Sequence, residues 1–175
     1  MVKLHMFYIG GNAGRSNIEV HDIQFAAVDR PEAAWPLLRQ AWFGDPDKIH
    51  VDGYSVIEWA DGHDVRLLPA PPAAAQVRLF FVNVGGYRAD TLAEQHEYGL
   101  FVAPDAATAK RRALERLLPG IGHQHRDNLK DVDDCLMLNE LGGWHIHLNV
   151  NPDGREAEPA WQGYQPIGVP ARTAG

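Results

Sequence analysis

The sequence predicts an α+β protein built from two tandem ββαββ repeats, with antiparallel sheet and two packed helices. Three observations predict it. At an offset of 75 residues Leu4 falls on Leu79, Gly10-Gly11 on Gly85-Gly86, Glu19 on Glu94 and His21 on His96. Later the offset becomes 81: Val51-Asp52 falls on Val132-Asp133, Gly62 on Gly143, Val65 on Ile146 and Leu67 on Leu148. The second copy therefore carries six extra residues, around its helix and the loop "GIGHQHRDNLK". Finally, each copy passes through strand, strand, helix, strand and strand in the same order.

The elements follow in chain order. "KLHMFYI" (3–9) is apolar on both alternating faces, as a central strand would be, and "DIQFAAV" (22–28) is the next strand. "PEAAWPLLRQAWF" (31–43) has helical spacing, with Pro31 acceptable near the start; Pro36 predicts a kink or a later helix start. "YSVIEWADGHDVRL" (54–67) is a hairpin around Asp61-Gly62, a dipeptide that favours the tight turn with positive φ. These make repeat 1–68. "PAPPAAAQV" (69–77) is a Pro/Ala linker.

The second repeat, 78–148, has "RLFFVNV", then "EYGLFVA", then the helix "AATAKRRALERLL" with Asp105 as N-cap. "CLMLNELGGWHIHL" repeats the hairpin with Gly142-Gly143. Residues 149–175 form an irregular tail with Pro152, Pro159, Pro166 and Pro170, wrapping the surface with Trp161 and Tyr164 as anchors. The two repeats are expected to pack about a pseudo-two-fold axis.

Composition bounds the function. The chain has 175 residues and a net charge of −7, which disfavours nucleic acid and anionic membranes as partners. Cys135 is the single cysteine, so no internal disulfide forms, as suits a reducing cytoplasm. "MVKLHMFYIGG" carries Lys3 and His5 within its apolar run and reads as a strand, not a signal peptide. No apolar run approaches the roughly 18 residues of a membrane span. A cytoplasmic protein is expected.

"MFYIGG" followed by "NIEVHDIQF" resembles the bacterial family catalogued as domain of unknown function 1543, whose members look like one or two copies of such a unit. The likeness covers roughly residues 1–148 and is strongest in the first copy, since the second has "FFVNVGG" and "AEQHEYGLF". The resemblance implies the fold and carries no chemistry.

The chemistry rests on the repeated Glu-x-His-acid, "EVHD" at 19–22 and "EQHE" at 94–97. Residues two apart on a strand share a face. Glu19 and His21 then share a side with Ile23, Phe25 and Ala27, while Glu94 and His96 share one with Tyr98, Leu100 and Val102. Both pairs are expected at the start of a strand on its buried side, with Asp22 and Glu97 toward solvent. A Glu can fix the tautomer of a neighbouring His and leave its other nitrogen to act as base or ligand. The pairs either converge near the pseudo-two-fold axis on one pocket for a divalent metal or acid–base chemistry, or each ties down its own connection as a polar cluster. Gly10-Gly11 and Gly85-Gly86 are candidate ligand-binding positions where backbone amides approach an anion, or simply sharp turns.

Other candidates occur in one copy only. His145 and His147 form His-x-His on the last strand, a candidate metal pair as are His21 and His96, or else an exposed sheet face; His123 and His125 lie in the inserted loop as surface residues or an accessory ligand pair. Lys110, Arg111, Arg112 and Arg116 are expected on a solvated helix face, with a small patch for an anionic partner as the sharper alternative. Cys135 corresponds to Tyr54 and is expected as a buried thiol rather than a nucleophile. Two functions remain. One, favoured because no nucleophile, oxyanion or cofactor motif is recognised, is a small-ligand-binding or interaction protein, monomeric or homodimeric, with a cleft lined by Glu19, His21, Glu94 and His96. The other is a hydrolase- or isomerase-type enzyme using the same residues, with or without metal.

Overall fold

The computed structural model describes residues 1–121 and 130–169. The first repeat runs β1 (Lys3–Gly11), β2 (Val20–Val28), a 3-10 turn (Pro31–Ala34), α1 (Trp35–Ala41), β3 (His50–Ile57), β4 (Trp59–Ala60) and β5 (His63–Leu68). The second runs β6 (Arg78–Gly86), β7 (Gln95–Ala103), α2 (Ala106–Arg116), β8 (Lys130–Leu138), β9 (Glu140–Leu141) and β10 (Trp144–Val150). A last strand, β11 (Trp161–Pro166), lies in the segment expected to be an irregular tail; it pairs antiparallel with β3, and Trp161 stacks on Tyr54.

The expected antiparallel sheet is divided into three. β11-β3-β1-β2 joins the tail strand to three strands of the first repeat, β7-β6-β8 belongs to the second, and β4-β5-β10-β9 is shared. The division arises where each hairpin strand breaks. The strand expected through residues 54–60 stops at Glu58, so β3 stays on β1 while Trp59-Ala60 pair with β5. The same break falls at Asn139 in the second repeat. β5 and β10 then pair antiparallel from His145↔Leu68 to Val150↔His63, joining the repeats.

Local chemistry explains the turns and caps. Asp61 and Gly62 both have positive φ (47° and 82°), as do Gly142 and Gly143 (58° and 83°), which is the backbone of the two-residue turn. Pro36 delays α1 to Trp35 and sits in its first turn, where its missing N–H costs nothing. Asp105 caps α2, accepting from the Thr108 amide at 2.7 Å, and that bond holds its carboxyl below the usual range.

Among the described residues each repeat sheet has a helix on one face only. Phe7, Ile9, Ala26, Val28 and Val51 bury against Ala34, Leu38 and Trp42 of the first helical segment. Phe80, Val82, Phe101 and Ala103 do so against Ala109 and Ala113. The opposite faces meet across the repeats: Leu4, Leu79, Phe81, Val102 and Ile146 share one core with Ile23, Phe25 and Leu100 packed on it.

The basic face of α2 is not simply solvated. Arg112 and Arg116 reach across to Oδ1 of Asp61 at 2.8 and 2.9 Å, and Asp61 Oδ2 accepts from the Val102 amide at 2.7 Å. The hairpin turn of one repeat is thus clamped onto the helix of the other, with the Asp61 side chain 7% exposed. Lys110 and Arg111 remain exposed, Arg111 paired with Glu115. Asp61→Asn keeps the shape and tolerates positive φ, yet removes a charge serving three donors. It should lower unfolding stability by about 1–3 kcal/mol in denaturant, whereas Arg111→Ala should cost under about 0.5 kcal/mol.

Candidate functional site

Gly10 is the centre of the first repeat's site. It does not end its strand in a sharp turn; β1 runs on through Gly11, with Gly10 paired to His21 on one side and His50 on the other. A Cβ at Gly10 would lie 2.8 Å from both the His21 and His50 rings. The absent side chain lets two imidazoles close over the strand. Gly11 makes room in the same way for the Lys48 carbonyl and Trp42.

His50 was missed by the sequence analysis, as was the role of Asp52. Beside Asp52 the register slips from Tyr8↔Gly53 to Ile9↔Val51, so Asp52 is the extra residue of a β-bulge. Bulges re-aim side chains, and this one brings Asp52 against both histidines. His21 Nε2 lies 3.6 Å from Glu19 and 3.3 Å from Asp52; His50 Nε2 lies 3.2 Å from each of the same two carboxylates. Glu19, His21 and His50 present donor atoms all within 4.8 Å of one another.

The two imidazoles are held differently. His50 is 1% exposed, lies beneath the Tyr164 ring of β11 at 4.4 Å between centroids, and bonds the Lys48 carbonyl through Nδ1 at 3.3 Å. His21 is more open and stacks flat on Tyr8, with centroids 5.0 Å apart and planes 3° apart. Burial, then Tyr98, Asp52 and Glu19, raise the Tyr8 phenol above its usual pKa, so it stays a neutral platform at physiological pH.

The Glu-His pairs are not on a buried side as expected. Glu19 and Glu94 precede their strands, and His21 and His96 are exposed. The reason is the inter-repeat packing: the facing sheets close farther along, at Phe25 and Phe81 (5.4 Å between ring centroids), and leave a hollow at the strand starts. That hollow, about 460 Å³, is lined by Tyr8, His21, Asp22 and Ile23 from the first repeat and Phe81, Asn83, His96, Tyr98 and Asp134 from the second. A second hollow of about 400 Å³ shares Tyr8, Ile23 and Tyr98 with it and includes Asp52 in its wall. Glu97, expected in solvent, instead accepts from the Leu118 amide.

The second repeat keeps part of the arrangement. Gly85 pairs with His96 and with Asp131, and the register slip recurs at Asp133. Asp131 therefore holds the backbone position of His50. His96 lies 3.7 Å from Glu94, which also accepts from the Tyr87 hydroxyl at 3.2 Å, and Asn83 lies 3.4 Å from His96 Nδ1.

Both repeats, and the Glu-x-His of each, match one family. The profile described as Domain of Unknown Function (DUF1543) aligns with residues 16–67 and 91–148, more than half of the chain. The chain belongs to that family. The crystal structure of a protein Il1583 from Idiomarina loihiensis is similar, with a TM-score of 0.74 and 28% sequence identity over 95% of this chain and 98% of that one. No curated protein matches the chain. No described helix is long and apolar enough to cross a membrane.

The remaining candidates lie apart from this cluster. His147 Nε2 bonds the Ala70 carbonyl at 2.8 Å and His145 Nδ1 lies 3.9 Å from Glu140, so both have local partners rather than an open sheet face. His123 and His125 fall outside the described residues. Cys135 is half-buried, and burial raises its thiol pKa, the opposite of nucleophile activation. Gly10→Ala should push the two rings off the strand and lower stability by about 1–3 kcal/mol in denaturant unfolding. An unchanged midpoint would mean the rings do not close over Gly10.

Proposed function

We propose that this family member binds a small molecule in the hollow between its repeats, with His21 and His96 as its principal polar contacts. One observation supports the reading: the hollow takes a wall from each repeat and includes both histidines. Its volume is in the range of small-ligand pockets. Antiparallel pairing of β5 with β10 supports a pseudo-two-fold relation between the repeats, which is how duplicated residues would come to share one space.

The walls favour a ligand of particular chemistry. Asp22 and Asp134 attract hydrogen-bond donors or positive charge, and Tyr8 stacked on His21 offers a flat face to an aromatic or planar group. A small planar molecule, neutral or cationic and rich in donors, fits best. Gly85 and Gly86 belong to this reading only as the strand beneath His96. Glu94 lies 3.7 Å from Nε2 of His96 and Glu19 lies 3.6 Å from Nε2 of His21, beyond hydrogen-bond distance, so each carboxylate acts on its ring through charge.

A fragment library screened by ligand-observed NMR tests this. Cationic and neutral planar fragments should bind the protein and lose at least roughly tenfold in affinity in the His21→Ala/His96→Ala double variant, a loss of about 1.4 kcal/mol. Fragments that bind both proteins equally would place the site elsewhere.

A further inference from the structure

We infer that Glu19, His21, His50 and Asp52 form a binding site for one divalent transition-metal ion of the zinc class. The inference stands on the first repeat alone and does not need a small molecule in the hollow.

The observation that carries it is the state of His50. Its ring is buried, and its Nδ1 faces the Lys48 carbonyl. A carbonyl only accepts, so Nδ1 carries a proton, and in the neutral ring Nε2 is left with a lone pair. Nε2 is fully buried and makes no hydrogen bond among the described residues, although Glu19 and Asp52 oxygens each lie 3.2 Å away. Asp52 Oδ2 is buried and equally without a hydrogen bond. A lone pair facing two carboxylates is repulsive, and burying it unpaired is costly. A cation placed among these atoms converts every one of those contacts into an attraction.

The spacing suits such an ion. A tetrahedral ion with bonds of about 2.0–2.1 Å needs donors roughly 3.3–3.4 Å apart. The N–O separations are 3.2, 3.2, 3.3 and 3.6 Å, each carboxylate meeting the two rings through different oxygens; the single donor atoms of Glu19, His21 and His50 lie within 4.8 Å of one another, so these side chains draw inward to close on an ion. Two imidazoles and two carboxylates select zinc or a similar first-row ion over magnesium and calcium, which take oxygen ligands. The Glu19 side chain is 44% exposed, which leaves a path from solvent. Gly10 supplies the space and the bulge at Asp52 supplies the fourth ligand's aim. In the second repeat Asp131 replaces His50 in the register, so the equivalent position there has one imidazole fewer.

Zinc titrated into untagged, chelator-stripped protein by calorimetry tests the inference. We expect one equivalent bound and a melting temperature raised by zinc but not by magnesium. Glu19→Gln and Asp52→Asn should each weaken zinc at least roughly tenfold, and His50→Gln should abolish tight binding. Glu19→Gln changes an exposed side chain and keeps the test decisive should His50→Gln fail to fold. His145→Ala/His147→Ala should bind zinc as the unaltered chain does. Absence of zinc binding, or Glu19→Gln and Asp52→Asn variants that bind it within twofold of the unaltered chain, would overturn the proposal.

Discussion

Among the described residues each repeat has one short helix for a sheet with two apolar faces, and the rest of the molecule depends on that shortage. The uncovered face must bury against something, and it buries against the other repeat. Leu4 and Leu79, equivalent in the two copies, end in the same core as a result. The shared sheet and the Asp61 clamp then fix how the repeats meet. Strands that face each other in this way bring their beginnings to a common edge, where large apolar contacts stop and a hollow opens. His21 and His96 stand at that edge because strand position, not local sequence, carried them there.

Within the first repeat, several local rules are broken at one place. A glycine pair continues a strand, an aspartate bulges out of its ladder, and a histidine is buried with one nitrogen unbonded. Each departure is unfavourable alone, and together they assemble a single cluster. Natural sequences concentrate such departures at functional sites. The second repeat has the same glycine and the same bulge, with Asp131 at the register position of His50, so the two copies share the frame and differ at that position.

Much of the frame was legible in the sequence. The repeat offsets, the Asp61-Gly62 turn and the Asp105 cap all depend on interactions within a few residues, and short-range chemistry determines them. The strand break at Glu58, the pairing of the tail as β11 and the division into three sheets depend on partners far along the chain. The cluster divides in the same way. Glu19 and His21 were visible because their motif repeats, whereas His50 lies on another strand and joins them only through the β1 register. A signal did exist: "HVD" at 50–52 falls on "DVD" at 131–133 at the offset already found. Arg112 and Arg116 read as a solvated face because their partner, Asp61, belongs to the other repeat.

The central claim is that the buried His50 nitrogen and its two carboxylates surround a cation. Diffraction from zinc-soaked crystals, recorded on both sides of the zinc absorption edge, tests it most directly. The account predicts one anomalous peak within about 2.0–2.3 Å of donor atoms from Glu19, His21, His50 and Asp52. No peak there, or zinc found only at His145 and His147, would contradict it.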